Sequence, residues 1–248
     1  MLLILYFNDD PLTMHSKNIS IPDHVLDNPI WNAMISSNSD LAYGTSHIKF
    51  FREDISPFAG MKQVNQELLQ QLLDLISYER VVAIVTPLSL NIPAGVDIIR
   101  QAKLLQMIRE NAAQPSFNTE GIVPLTKRHV PQMLALTQLT NPGPFLESTI
   151  SFGSYNGIFN AGELVAMTGT RLHVNQYVEV SAVCTHPGHT GKGYGSRLIL
   201  NQVSQIIKEG NIPFLHVAED NHAAIQLYQR LGFNTRQVMN LYVLQKAG

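Results

Sequence analysis

Between Asn65 and Ile76 the chain places Leu68, Leu69, Leu72, Leu73 and Ile76 at helical spacing, which predicts an amphipathic helix. Arg80-Val-Val-Ala-Ile-Val-Thr-Pro87 is a β-branched run stopped by proline and predicts a strand. Val96 to Ile108 returns to an apolar pattern that reads as helical. The polar, proline-bearing stretch from Asn111 to Asn118 reads as a linker. Beyond Gly121 a helix is expected from about His129 to Leu139, broken by Asn141-Pro-Gly-Pro144. Strands are expected at Gly153–Asn160, Glu163–Arg171, Tyr177–Cys184, Pro213–Ala218 and Phe233–Leu244. Two amphipathic helices fall between them. The first runs from Gly193 to Lys208, inside the stop at Gly210, and the second from Asn221 to Leu231 before Gly232. That order predicts an α/β (α+β) fold, a mixed sheet with helices on its faces. We divide the chain into an N-terminal α/β domain, residues 1–115, and a second domain, residues 120–248.

Composition narrows the function classes. The 248 residues carry a formal charge of −2, and the 17 Lys and Arg form no basic run, which excludes a protein that gains its affinity by neutralising nucleic-acid phosphates. A compact anionic ligand remains open, because backbone N–H groups can hold it without net charge. Cys184 is the single cysteine, so no intramolecular disulfide forms, consistent with a reducing cytosol. Met1-Leu-Leu-Ile-Leu-Tyr-Phe7 is apolar but gives way at once to Asn8-Asp9-Asp10-Pro11, so a buried first strand is expected rather than a signal peptide. No stretch approaches the ~18–20 apolar residues of a membrane span. A cytoplasmic protein without a membrane partner is expected, with monomer and homodimer both open.

The most informative segment is Glu179-Val-Ser-Ala-Val-Cys-Thr-His-Pro-Gly-His-Thr-Gly-Lys-Gly-Tyr-Gly195. A strand runs into a turn holding Gly188, Gly191, Gly193 and Gly195, and a helix leaves it. Glycine permits φ > 0 and close backbone approach, while a helix N-terminus offers unpaired N–H donors and a positive dipole end. The combination suits a pyrophosphate-like anion. It is not a Walker A loop: His186 stands where the first glycine is required, and Gly193 follows Lys192 in place of Ser or Thr. Nor is it the dinucleotide fingerprint, since Ser196 occupies the third glycine position.

Thr190-Gly-Lys-Gly-Tyr-Gly195 resembles the Gln/Arg-x-x-Gly-x-Gly/Ala loop of the GNAT superfamily of N-acetyltransferases, with Thr190 departing from the usual first residue. A second landmark of that family, a helix ending in Leu-Tyr-x-x-x-Gly-Phe, matches Asn221-His-Ala-Ala-Ile-Gln-Leu-Tyr-Gln-Arg-Leu-Gly-Phe233. The resemblance covers roughly residues 120–245 and implies a mostly antiparallel sheet, with acetyl-CoA as cosubstrate and no metal. It implies cofactor contacts from Val183, Cys184 and Thr185, from Thr190, Gly191, Lys192, Gly193, Tyr194, Gly195 and Ser196, and from Asn221 and Ala224. It places Glu179 as candidate general base and Tyr228 as candidate acid near the coenzyme sulfur.

Direct acyl transfer from a thioester to an amine needs a neutral amine, a donor for the oxyanion and an acid for the leaving sulfur. Glu179 also reads as a surface strand residue or as the ion-pair partner of an arginine, Tyr228 as a core aromatic, and Asn221 as a helix cap. Cys184 reads as a small buried hydrophobe rather than a nucleophile. His186 and His189 lack a set of further metal ligands, and His216 reads as a hydrogen-bonded core residue. Trp31, Tyr43, Phe50, Phe51 and Phe58 are expected in the N-terminal core or along a substrate cleft. The expected activity is acetyl transfer from acetyl-CoA to a primary amine of a small molecule or amino acid. The alternatives are a non-catalytic acyl-CoA-binding regulatory module and a protein or peptide N-acetyltransferase.

Overall fold

A computed structural model describes residues 24–247, so the strand expected at 1–7 lies outside the described residues. Helix α1 (Pro29–Met34) precedes a three-stranded antiparallel sheet of β1 (Ala42–Gly44), β2 (Ile48–Phe51) and β3 (Ala59–Met61). Helix α2 (Gln66–Leu75) follows, its N-terminus capped by Asn65, whose side chain accepts from the Leu68 N–H at 2.8 Å. Its Leu68, Leu69, Leu72 and Leu73 are buried, as the spacing predicts.

The remaining elements build an eight-stranded sheet. In chain order they are β4 (Val82–Thr86), β5 (Val96–Ile108), β6 (Ile122–Pro124), α3 (Val130–Thr140), β7 (Tyr155–Asn160), β8 (Glu163–Val174), β9 (Tyr177–Thr185), α4 (Tyr194–Lys208), β10 (Ile212–Ala218), α5 (His222–Arg230) and β11 (Asn234–Lys246). The strand order is β4-β11-β5-β10-β9-β8-β7-β6. Every ladder in it is antiparallel except that between β9 and β10. Helix α4 seals one face with Leu198, Ile199, Val203 and Ile206, none more than 2% exposed. Burial of such side chains contributes roughly 1.5–3 kcal/mol each.

Two expectations are corrected here. Val96–Ile108 is a strand, not a helix. It lies between β11 and β10 and pairs with both, so its backbone groups are satisfied on two edges by tertiary partners that local periodicity does not reveal. Its first half is largely exposed, Ile98 and Ile99 included, and only Gln106, Met107 and Ile108 at its end are buried. The boundary placed between residues 115 and 120 therefore falls inside one sheet. Leu26, Ile30, Met34, Phe51 and Phe58 share a core with Leu172, Val174, Phe214 and Met239. The stretch read as a linker is pinned to the body. Arg109 donates to the carbonyls of Asn111 at 2.5 Å and Ala113 at 3.1 Å, and the Ser204 hydroxyl donates to Gln114 at 2.8 Å.

Candidate active site

The sheet opens between β9 and β10. Their parallel register runs Ile212↔Tyr177, Pro213↔Val178 and Phe214↔Glu179, and then stops. Beyond it β10 stays paired with β5 as far as Ala218, and β9 stays paired with β8 as far as Thr185. The carboxyl ends of the two strands thus face each other across a gap with unpaired backbone on both sides. In open sheets such a gap, at the carboxyl ends of parallel strands, is where ligands bind. An extended ligand can enter it as an added strand.

Two bulges shape the rim. Between Met167↔Cys184 and Gly169↔Ser181, β9 carries Ala182 and Val183 opposite the single residue Thr168. Ala182 has φ of 51°, a left-handed conformation strained for a residue with a Cβ. Neither Ala182 nor Val183 has a partner in the register, so the backbone of this segment is turned out of the ladder. Between Thr170↔Val180 and His173↔Val178, β8 carries Arg171 and Leu172 opposite the single residue Glu179.

That second bulge decides the fate of Glu179. Its carboxylate is fully buried and accepts from Arg171 Nε at 2.8 Å and Nη2 at 2.7 Å, and from the Leu172 N–H at 3.3 Å. His216 Nδ1 lies 2.7 Å from the same carboxylate. Burial alone pushes a carboxyl upward, but the Arg171 guanidinium and the His216 contact outweigh it and hold Glu179 well below the usual carboxylate range. A carboxylate held ionised by two side chains and a backbone N–H is a weak proton acceptor, which weighs against the general-base reading of Glu179. The ion-pair reading is the one the structure bears out. Sequence reasoning missed Arg171, because a bulge in the partner strand leaves no mark on the local pattern. His216, 6% exposed at its side chain, is the hydrogen-bonded core residue expected, and it also meets Gln106 Nε2 at 3.0 Å.

The loop after β9 keeps its expected character. Gly191 and Gly193 have φ of 76° and 75°, with nothing within 4 Å of a hypothetical Cβ, so glycine is required there by conformation and leaves open space. Gly193 caps α4 without a side-chain hydrogen bond. The backbone N–H groups leading into α4 stand at a positive dipole end, an arrangement able to hold an anion. Lys192 is exposed beside His189, with Nζ 3.3 Å from Nδ1. The Thr190 hydroxyl donates to the Pro187 carbonyl at 3.0 Å, a turn contact rather than a free ligand group. His186 braces the same turn by accepting from the Gly188 N–H.

Across the gap, Tyr228 on α5 is 8% exposed and packs edge-on against Phe233. Its hydroxyl makes no hydrogen bond to another described residue. Burial, with a smaller influence from Cys184, pushes its pKa up to about 12. The Cys184 thiol is likewise pushed up to about 12 by burial, which suits a buried hydrophobe and not a nucleophile. Asn221 caps α5 by accepting from the Ala224 N–H at 3.2 Å. Trp31, Phe50, Phe51 and Phe58 are core residues, while Tyr43 is 45% exposed beside Arg80.

The FR47-like protein family matches residues 155–243, which span β7 to β11. Mycothiol acetyltransferases are similar over part of their length. That of Streptomyces scabiei is 32% identical over 136 residues, 54% of this chain and 42% of the relative. That of Streptomyces avermitilis is 33% identical over 84 residues, 33% of this chain and 27% of the relative. The chain thus spans less than half the length of these curated relatives. The crystal structure of a GNAT-family protein from Novosphingobium aromaticivorans is 35% identical, covers 91% of this chain and 100% of its own, and superposes with a TM-score of 0.85. A GCN5-related N-acetyltransferase from Kribbella flavida shares the fold at 15% identity, with a TM-score of 0.56 over 88% of this chain and 96% of its own. With that likeness over 91% of the chain, this protein belongs to the GNAT superfamily of acetyltransferases.

Proposed function

We propose that the protein transfers an acetyl group from acetyl-CoA to a primary amine of a small molecule or amino acid by direct attack. The observation that carries the reading is the gap between β9 and β10, bordered by the glycine nest on one side and the Tyr228 hydroxyl on the other. Gly191 to Ser196 would hold the pyrophosphate through backbone N–H groups. The edge of β9 from Val183 to Thr185 would pair with the pantetheine arm, beside Ala224 and the capped end of α5. Acetyl-CoA supplies the activated acetyl thioester.

The chain's own groups then divide the work. The unpaired N–H groups of the Ala182–Val183 bulge offer donors to the oxyanion. Tyr228 stays protonated through neutral pH and offers that proton to the departing sulfur. A carbon–nitrogen bond forms, the carbon–sulfur bond breaks, and sulfur leaves as the thiol. With Glu179 committed to Arg171 and His216, the acceptor enters as its neutral amine and gives its surplus proton to water after the attack, and Tyr228 regains its proton from water. A protein expected in the cytoplasm has acetyl-CoA at hand, and among the described residues no helix is long and apolar enough to cross a membrane.

The test is thiol release from acetyl-CoA against a panel of amines, with acetyl-CoA binding followed by calorimetry. Turnover of at least one amine, suppressed in Tyr228→Phe without loss of binding, supports the reading. Binding with no turnover on any amine moves the protein to the acyl-CoA-binding module. Failure to bind acetyl-CoA removes the assignment.

A further inference from the structure

Beside the β9 bulge lies a recess lined by Arg171, Ser181, Ala182, Tyr155, Phe145 and the Pro142–Pro144 turn that ends α3. Its exposed lining is mainly polar, supplied by Arg171, Ser181, Tyr155 and Thr149, the last of which spends its hydroxyl on the Ile55 carbonyl. Arg171 uses Nε and Nη2 on Glu179, which leaves Nη1 with no partner among the described residues, on a side chain that keeps 15% exposure. Its guanidinium carbon sits 4.8 Å over the Phe58 ring, so the group is fixed from two directions. The Ser181 hydroxyl also has no partner among the described residues, while its carbonyl is taken by Thr168. The Tyr155 hydroxyl, by contrast, is spent on the Thr149 carbonyl. Two donors therefore remain available, one of them on a guanidinium held in place by Glu179 and Phe58, in a recess that Ala182 also lines.

A donor pair of this kind, with the arginine charge already balanced by Glu179, recognises an oxygen acceptor by direction more than by charge. Arginine held by a carboxylate on one edge presents a preorganised second edge, and little side-chain entropy is lost when a ligand meets it. The geometry points to Arg171 and Ser181 as the specificity-determining residues of the acceptor site. They would hold a carbonyl or carboxylate oxygen close to the reacting amine, so that the acceptor is an α-amino acid or its carboxamide. This rests on the amine-transfer reading above. The donors lie beside the bulge proposed to hold the oxyanion, which sets the recognised oxygen a short distance from the amine.

The experiment uses glycine, alanine and serine, their carboxamides, and the matching alkylamines. Binding to the CoA-saturated protein is measured by calorimetry and turnover by thiol release, with rates expressed per neutral amine. Acids or amides are expected to bind and react at least about tenfold better than alkylamines, the scale of one directed hydrogen bond. A preference for acids over amides identifies a carboxylate, and parity identifies a carbonyl. That preference should shrink severalfold in Ser181→Ala. It should vanish in the double variant Arg171→Met/Glu179→Gln, which removes both halves of the ion pair and avoids leaving one charge buried alone. Alkylamines that match the acids and amides, or a preference that survives both variants, overturn the inference. Selective binding without turnover keeps the inference and removes the transferase reading. Turnover without selectivity does the reverse.

Discussion

Replacing Glu179 by Gln separates two roles that one position in the chain allows. As a base it would sit free near the gap, and its loss would cost rate but not stability. In the structure it is fully buried, with Arg171 Nη2 and His216 Nδ1 each 2.7 Å from Oε1. Glutamine keeps the shape, loses the charge, and turns one acceptor oxygen into an NH₂ group facing donors. Breaking a buried pair by neutralising one partner costs about 3–5 kcal/mol, because the other charge stays behind. For a chain of this size, 1 kcal/mol moves Tm by about 2–4 °C, so a fall of roughly 6–20 °C is expected. The carboxyl is held below its ordinary value in the folded state. Its contribution is therefore complete above the unfolded carboxylate pKa of about 4.3, and it drains away as pH falls through the folded value. The gap in Tm between wild type and variant should stay constant from pH 8 to about pH 5 and narrow below about pH 4. Scanning calorimetry across that range, paired with thiol release well below the variant's Tm, reads both quantities. A variant with unchanged Tm and a rate loss beyond about 10²-fold would refute the ion-pair account and restore the general base.

Tyr228→Phe should lower kcat by about 10²-fold, the lower end of general acid contributions, while Tm and acetyl-CoA affinity hold; unchanged kcat would remove its catalytic role. Gly193→Ala puts a Cβ at φ of 75° in open space, so strain of about 1–2 kcal/mol should appear in calorimetry as a Tm lower by about 2–8 °C, with no steric clash to add to it. Gly169→Ala should lower Tm by several degrees, since its Cβ would meet the Tyr155 ring at 2.3 Å and overpacking costs about 1–3 kcal/mol. With Glu179 occupied, kcat/KM should rise with pH to a midpoint set by the acceptor's own amine. Two acceptors of different basicity should show different midpoints, and a shared midpoint would reveal an enzyme base.

How much was legible in the chain follows from where the determining contacts lie. The loop from Thr190 to Gly195, helices α4 and α5 and the strands from β7 onward were readable because each is specified by its own residues. Glycines sit at positive φ, Asn221 sits at a cap, and leucines and isoleucines fall at helical or alternating spacing. β5 was not readable. Its sequence suits either period, and its state is set by β10 and β11, which arrive more than a hundred residues later. The short strands β1 to β3 and helix α1 were missed for the opposite reason: each is too brief to establish a period.

The site shows the same division between local and distant causes, and shows it most clearly across the sheet. Arg171, Glu179, His216, Gln106 and Arg236 occupy successive strands β8, β9, β10, β5 and β11, and each makes a side-chain contact to the next. Arg236 closes the row onto Asp27, at 2.5 Å. Apart from Arg171 and Glu179, which face each other across one hairpin, no two of the five are close enough in sequence for spacing to relate them. Their chemistry is nonetheless interdependent, because a buried carboxylate between two cationic or donor groups stays ionised whatever motif it sits in. The residue that the family resemblance nominates for proton transfer is thus tied to partners supplied from other strands. The N-terminal segment, legible in the chain as a separate unit, supplies Gln106 and Asp27 to the same row. A change at Gln106, far from the gap in sequence and remote from any motif, should therefore be felt at Glu179. In Gln106→Leu the His216 ring loses the contact that orients it, and the pH at which the Glu179→Gln destabilisation fades should move upward as the carboxylate loses support.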